Sequence, residues 1–165
     1  MQSELFNKVL NRALNFGIIL ACALLVTSLV ERYVVSKPPV GRTVQLPGVD
    51  FSRSEKTLLL FLQPDCEICI KSLPYYRKLL DKFRDVGDVT LVLITPNEPE
   101  ATREFFNSHG LSFNTVLQGK RGLLGVQLSP TLILTDSTGT VHGQWIGELS
   151  AQQETDVWTM LMLKS

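Results

Sequence analysis

The stretch Lys56-Thr57-Leu58-Leu59-Leu60-Phe61-Leu62-Gln63-Pro64-Asp65-Cys66-Glu67-Ile68-Cys69 decides how this chain is read. Residues Thr57 to Leu62 form a continuous apolar run, too short for a core helix and closed by Gln63-Pro64-Asp65, which predicts a strand buried on both faces. Cys66 follows that turn at once, and the apolar positions Ile70, Leu73, Tyr76, Leu79, Leu80 and Phe83 then recur at threes and fours, as on one face of a helix. Pro74 should kink that helix. Two cysteines three positions apart suit a dithiol that closes into a small disulfide. The first of them opens a helix, where free N–H groups and the helix dipole stabilise a thiolate, the nucleophilic form of cysteine. Cys66 is therefore read as the attacking sulfur and Cys69 as the resolving one.

Other readings of the pair are weaker. A zinc site wants four ligands, yet the third cysteine, Cys22, stands far upstream and the two histidines, His109 and His142, lie far downstream. Both histidines read as surface residues. Two inert core cysteines would fit poorly with a position directly after Pro64-Asp65.

Outward from the dithiol, Val89 to Ile94 reads as a second buried strand, and Glu98-Pro99-Glu100 starts a helix running to about His109. Strand, helix, strand, helix implies a parallel sheet. A short strand is expected around Phe113 to Leu117. Gly119, Gly122 and Gly125 match no phosphate-binding pattern and read as backbone accommodation. After Ser129-Pro130-Thr131, the run Leu132 to Thr135 and the run Thr140 to Ile146 flank Asp136-Ser137-Thr138-Gly139, which predicts an antiparallel hairpin. Ser150 and Gln153 have capping-box spacing before a last helix with Val157, Trp158, Leu161 and Met162 as its apolar stripe.

The chain has 165 residues, with 16 Lys+Arg against 16 Asp+Glu, so it lacks the basic excess that neutralises a phosphate backbone, and nucleic acid is not an expected partner. With 44% hydrophobic residues it has ample material for a core. Residues 13–30 carry no charge. About 18 residues at about 1.5 Å each approach the thickness of a bilayer's hydrocarbon, so this segment reads as one transmembrane helix. The rival reading is a cleaved signal peptide, although the small residues Ala21-Cys22-Ala23 lie inside the apolar run. Basic residues on both sides leave orientation undecided. Residues 1–12 are then a flank, 31–40 a stiff proline-containing linker, and 41–165 one compact domain.

In this order, the strand before Cys66-x-x-Cys69, Pro74 five residues after the second cysteine, Ser129-Pro130-Thr131, and Leu132-Ile133-Leu134-Thr135-Asp136-x-x-Gly139 followed by Gly147 resemble the thioredoxin superfamily. Within it the match is to the membrane-anchored TlpA/ResA-like redoxins, over roughly Val40 to Lys164. The resemblance implies a thioredoxin-like α/β fold: a central mixed sheet with flanking helices, preceded here by one N-terminal transmembrane helix. It also implies a cis Ser129–Pro130 bond, with Ser129, Pro130 and Thr131 beside the disulfide as the surface for an extended substrate segment. The implied activity is thiol–disulfide exchange by the Cys66–Cys69 pair, with no separate cofactor and no metal. Implied partners are disulfide-bearing protein clients and a membrane redox partner that supplies electrons, at the outer face of a bacterial cytoplasmic membrane.

Departures from the family bear on tuning. Asp65 stands where a tryptophan is usual, Ser72 where many anchored reductases carry an acid, and Leu60 where thioredoxin has a buried one. Asp65 and Glu67 should disfavour a Cys66 thiolate by repulsion while the helix N-terminus favours it, which leaves the redox direction open. Pro74 is a further tuning residue. Two alternatives of other classes are a thiol peroxidase, which wants a threonine three residues before its cysteine where Gln63 stands, and a copper-delivering redoxin, which wants a dithiol one residue longer and a downstream histidine.

Overall fold

The computed structural model describes residues 12, 14–28, 40–83, 88–113, 115–120 and 122–163. The chain divides into two compact units, Met1–Lys37 and Pro38–Ser165. In the first, residues 14–28 form helix α1, whose large apolar side chains from Leu14 to Val26 stand more than half exposed. Among the described residues no helix is long and apolar enough to cross a membrane. Ala13, Leu29 and Val30 of the expected span lie outside the described residues, as do nearly all of the flank read at 1–12 and of the linker read at 31–40.

The second unit runs β1 (Lys56–Phe61), α2 (Glu67–Lys71), α3 (Leu73–Phe83), β2 (Val89–Thr95), α4 (Pro99–Ser108), β3 (Thr115–Gln118), β4 (Thr131–Asp136), β5 (Val141–Ile146) and α5 (Ala151–Met162). The strands form one mixed sheet in the order β3-β2-β1-β4-β5. β1, β2 and β3 are parallel, while β4 and β5 run antiparallel to their neighbours. β1 lies at the centre and all six of its residues are buried, which is why its sequence is a continuous apolar run rather than an alternating one.

The expected kink at Pro74 is a full break between two helices. Ser72 caps α2, and Pro74 falls in the first turn of α3, where its missing N–H has no intrahelical partner to lose. Two successive crossovers, β1 to β2 and β2 to β3, step in the same direction between parallel strands, and right-handed connections of this kind put their helices on one face. Leu73, Tyr76 and Leu79 of α3, Phe106 of α4, and Val157 and Leu161 of α5 accordingly share one core with Leu58, Leu60, Leu93 and Leu132. The opposite face, with Leu59, Phe61, Val92, Ile94 and Ile133, is covered by Leu46, Phe51 and Val126 from irregular segments. The return from β3 to β4 crosses that face closely: a Cβ on Gly119 would sit 2.6 Å from Ile94 Cγ2.

Some boundaries differ from the sequence reading. β3 begins at Thr115, and Phe113 instead packs edge-on against Phe106. Ser150 and Gln153 form a reciprocal capping box at the start of α5. Val157 and Leu161 are buried, but Met162 is 52% exposed, because one residue beyond Leu161 is about 100° further round the helix. The polar residue Lys56 is buried at the foot of β1. Its ammonium donates to the carbonyls of Met160 and Leu161, each at 2.9 Å, and of Leu163 at the end of α5.

Candidate active site

β1 ends at Phe61, and the turn Gln63-Pro64-Asp65 delivers Cys66 to the N-cap of α2. Its extended backbone (φ −96°, ψ 108°) is that of an N-cap residue, and its Sγ accepts from the Cys69 N–H at 3.2 Å. A sulfur held there receives one of the free N–H groups of the helix start, which favours negative charge on it. Cys66 and Cys69 form a disulfide with Cα atoms 5.1 Å apart. Cys66 is half-buried and Cys69 has no exposed surface, so Cys66 is the sulfur a partner can reach.

The Ser129–Pro130 peptide is cis. Ser129 O lies 3.4 Å from Cys66 Sγ, which puts the loop before β4 directly against the dithiol. Pro130 and Thr131 sit behind it. Pro130 is buried with its carbonyl taken by the Gly147 N–H at 2.8 Å, and Thr131 is buried with its hydroxyl donating to Leu128 O at 2.8 Å. Ser129 is thus the member of the trio that faces the sulfur, and the other two brace it. Around the site Ile68 is 46% and Leu128 64% exposed.

The tuning residues are placed unequally. Asp65 is exposed on the turn. Glu67 pairs with Lys71 at 2.8 Å one turn along α2, and the hydrogen bond and charge of each partner hold the carboxyl below and the ammonium above their ordinary values. The repulsion expected from Glu67 is therefore largely compensated. Pro74 is exposed in the first turn of the next helix, five residues after Cys69. Ser72 is buried and its hydroxyl donates to Ile68 O at 2.9 Å, while Leu60 is wholly buried in the same core as Cys69.

His109 stacks on Phe105 with ring centroids 4.3 Å apart, and His142 pairs with Asp136 at 2.8 Å. Neither is brought to the cysteines. Among the described residues no three His, Cys, Asp or Glu side chains group as a metal site. One contact was missed in the sequence: Gln63 Nε2 donates to Ser129 Oγ at 2.9 Å. Its only local signal was an amide at the mouth of the turn.

A dithiol mounted between a central strand and a helix start, with a cis-proline loop against its outer sulfur, defines a thioredoxin-like redoxin. Residues 36–145 match the AhpC/TSA family, and the chain belongs to that family. It is 33% identical over 116 residues to the thiol-disulfide oxidoreductase ResA of Bacillus thuringiensis (strain Al Hakam), covering 68% of this chain and 65% of that one. The methylamine utilization protein MauD of Paracoccus denitrificans is 27% identical over 106 residues, covering 63% and 50%. The chain thus spans about two thirds or less of the length of these curated relatives. The crystal structure of StoA from Bacillus subtilis superposes with a TM-score of 0.51 at 24% identity, over 65% of this chain and 84% of that one, a likeness of fold.

Proposed function

We propose that this chain is a membrane-tethered thiol–disulfide oxidoreductase that reduces or exchanges disulfides in extracytoplasmic protein clients. One observation carries the reading: an accessible, N-capping Cys66 is bonded to a sealed Cys69, with the Ser129 carbonyl against its sulfur. The name of the similar ResA protein supports it.

In the reducing direction the Cys66 thiolate attacks one client sulfur. The client S–S bond breaks as a Cys66–client bond forms, and the departing client thiolate takes a proton. Cys69, deprotonated in turn, attacks Cys66 Sγ and expels the second client thiolate, which is also protonated. The client gains two electrons and two protons, and the chain is left with the Cys66–Cys69 disulfide. A membrane-bound dithiol partner returns the two electrons. Residues 13–30 supply the tether, and holding the domain beside a membrane-bound partner raises the effective concentration of each for the other. Burial of Cys69 restricts it to the one sulfur it must attack.

Substitution tests the assignment of roles. Cys66→Ser should abolish reduction of a model disulfide, whereas Cys69→Ser should accumulate a mixed disulfide between Cys66 and client, seen as a dithiothreitol-sensitive adduct. Full turnover in either variant would overturn the mechanism.

A further inference from the structure

The antiparallel ladder between β1 and β4 runs from Lys56↔Asp136 to Phe61↔Thr131. Next in that register are Leu62 opposite Pro130 and Gln63 opposite Ser129. Leu62 and Pro130 face away from each other, as Leu62 N–H donates to Ile94 O and Pro130 O accepts from the Gly147 N–H, and the β1–β4 ladder stops at Phe61↔Thr131. The pairing resumes one step further through side chains, as the Gln63 amide donates to Ser129 Oγ. Gln63 also reaches the nucleophile, because its own carbonyl accepts from the Cys66 N–H at 3.3 Å. One half-buried residue therefore holds both the turn that carries Cys66 and the loop whose carbonyl lies 3.4 Å from its sulfur.

We propose that Gln63 is a positioning residue for the dithiol: its clasp on Ser129 fixes the Ser129 carbonyl against Cys66 Sγ and so sets how readily the reduced thiol gives up its proton. The proposal rests on the dithiol reading above. A carbonyl oxygen beside the sulfur can accept from the S–H and is repelled by the thiolate, opposing the Cys69 N–H on the other side. Among the described residues, the charged groups on the elements around the sulfur are Asp65 on the turn, Glu67 and Lys71 on α2, Glu148, which acts on Lys71, and Lys120 beside Ser129 in the adjoining crevice. None is altered in the variants below, so their contributions cancel in the comparison.

The test uses the full-length reduced chain in detergent and follows Cys66 alkylation against pH in the wild type, Gln63→Ala, Ser129→Ala and the double variant. Loss of one net hydrogen bond's worth of restraint should move the rate at a pH below the midpoint about threefold upward. Because both single variants cut the same bond, each should show this acceleration and the double variant should add little to either. Superposable profiles for Gln63→Ala and wild type, or single effects that multiply in the double variant, would overturn the proposal. Thermal melting of each variant identifies any that fails to fold, and Ser129→Ala cuts the clasp from the other side if Gln63→Ala is lost. If the wild type itself forms no Cys66–Cys69 disulfide on oxidation, the dithiol reading fails, separately from the clasp.

Discussion

At Cys66 two backbone groups act in opposite senses. The Cys69 N–H, 3.2 Å from the sulfur, favours negative charge there, and the Ser129 carbonyl at 3.4 Å disfavours it. Among the side-chain charges, Glu67 and Lys71 enter as a pair, tied to each other at 2.8 Å. That pair predicts opposite effects from its two halves. Lys71→Ala frees the Glu67 carboxylate and should slow Cys66 alkylation at fixed pH, while Glu67→Gln frees the ammonium and should speed it. Both effects should fade at high salt, because exposed charges are screened. Shifts of the same sign, or none at low ionic strength, would mean that the pair does not act on the sulfur. The dithiol itself was legible in the sequence because strand, turn and helix start are consecutive. The clasp of Gln63 on Ser129 was not, because it depends on a register between positions far apart in the chain, continued past the point where the ladder ends.

Three local devices in the secondary elements can each be tested alone. The turn between β4 and β5 is organised by Asp136, which accepts from the Thr138 N–H at 2.8 Å, the Thr140 N–H at 3.0 Å, the Thr138 hydroxyl at 2.7 Å and His142 at 2.8 Å. Burial pushes its carboxyl up, but these hydrogen bonds outweigh it and hold the group well below its ordinary value of 3.8. A carboxyl depressed in the folded state stabilises that state fully above the unfolded value. The contribution is lost as pH falls toward the folded value, since the unfolded chain takes up the proton first. The stability gap between wild type and Asp136→Asn should therefore be widest at pH 7 and narrow by pH 3 in urea titrations, and a gap independent of pH would contradict this account. At the other end of the unit Ser150 caps α5, and Ser150→Ala should cost about 1 kcal/mol in the same assay. Lys56, buried beneath the end of that helix, satisfies carbonyls left free there. Burial lowers the pKa of its ammonium, yet Lys56→Met, which keeps the aliphatic stem, should cost about 2 kcal/mol by stranding those acceptors. Periodicity and caps make the element types legible in the sequence, whereas the role of this lysine is not, because its partners lie more than a hundred positions away.

For the molecule as a whole, the sheet order combines two crossovers between parallel strands, a return that sets β4 against β1, and a hairpin; the crossovers and the hairpin are legible in the sequence as periodicities and a turn. The placement of α3, α4 and α5 on one face is not. It depends on the direction in which successive strands are added, and that direction leaves the other face to irregular segments and a closely passing Gly119. The proposed tether belongs to this scale too. Full-length chain should remain with membranes after an alkaline carbonate wash and should leave them when residues 1–36 are removed; release of the full-length chain by the wash would contradict anchoring by residues 13–30. The central claim is that Cys66 and Cys69 act together as a two-electron couple. The most direct measurement equilibrates the full-length protein in detergent with thiol buffers of graded poise and counts alkylated Cys66 and Cys69 at each. The account predicts that both thiols appear together in one two-electron transition, within about −270 to −120 mV, the span from thioredoxin to the strong periplasmic oxidants. Thiols that stay alkylatable at every poise, or that titrate independently of each other, would contradict it.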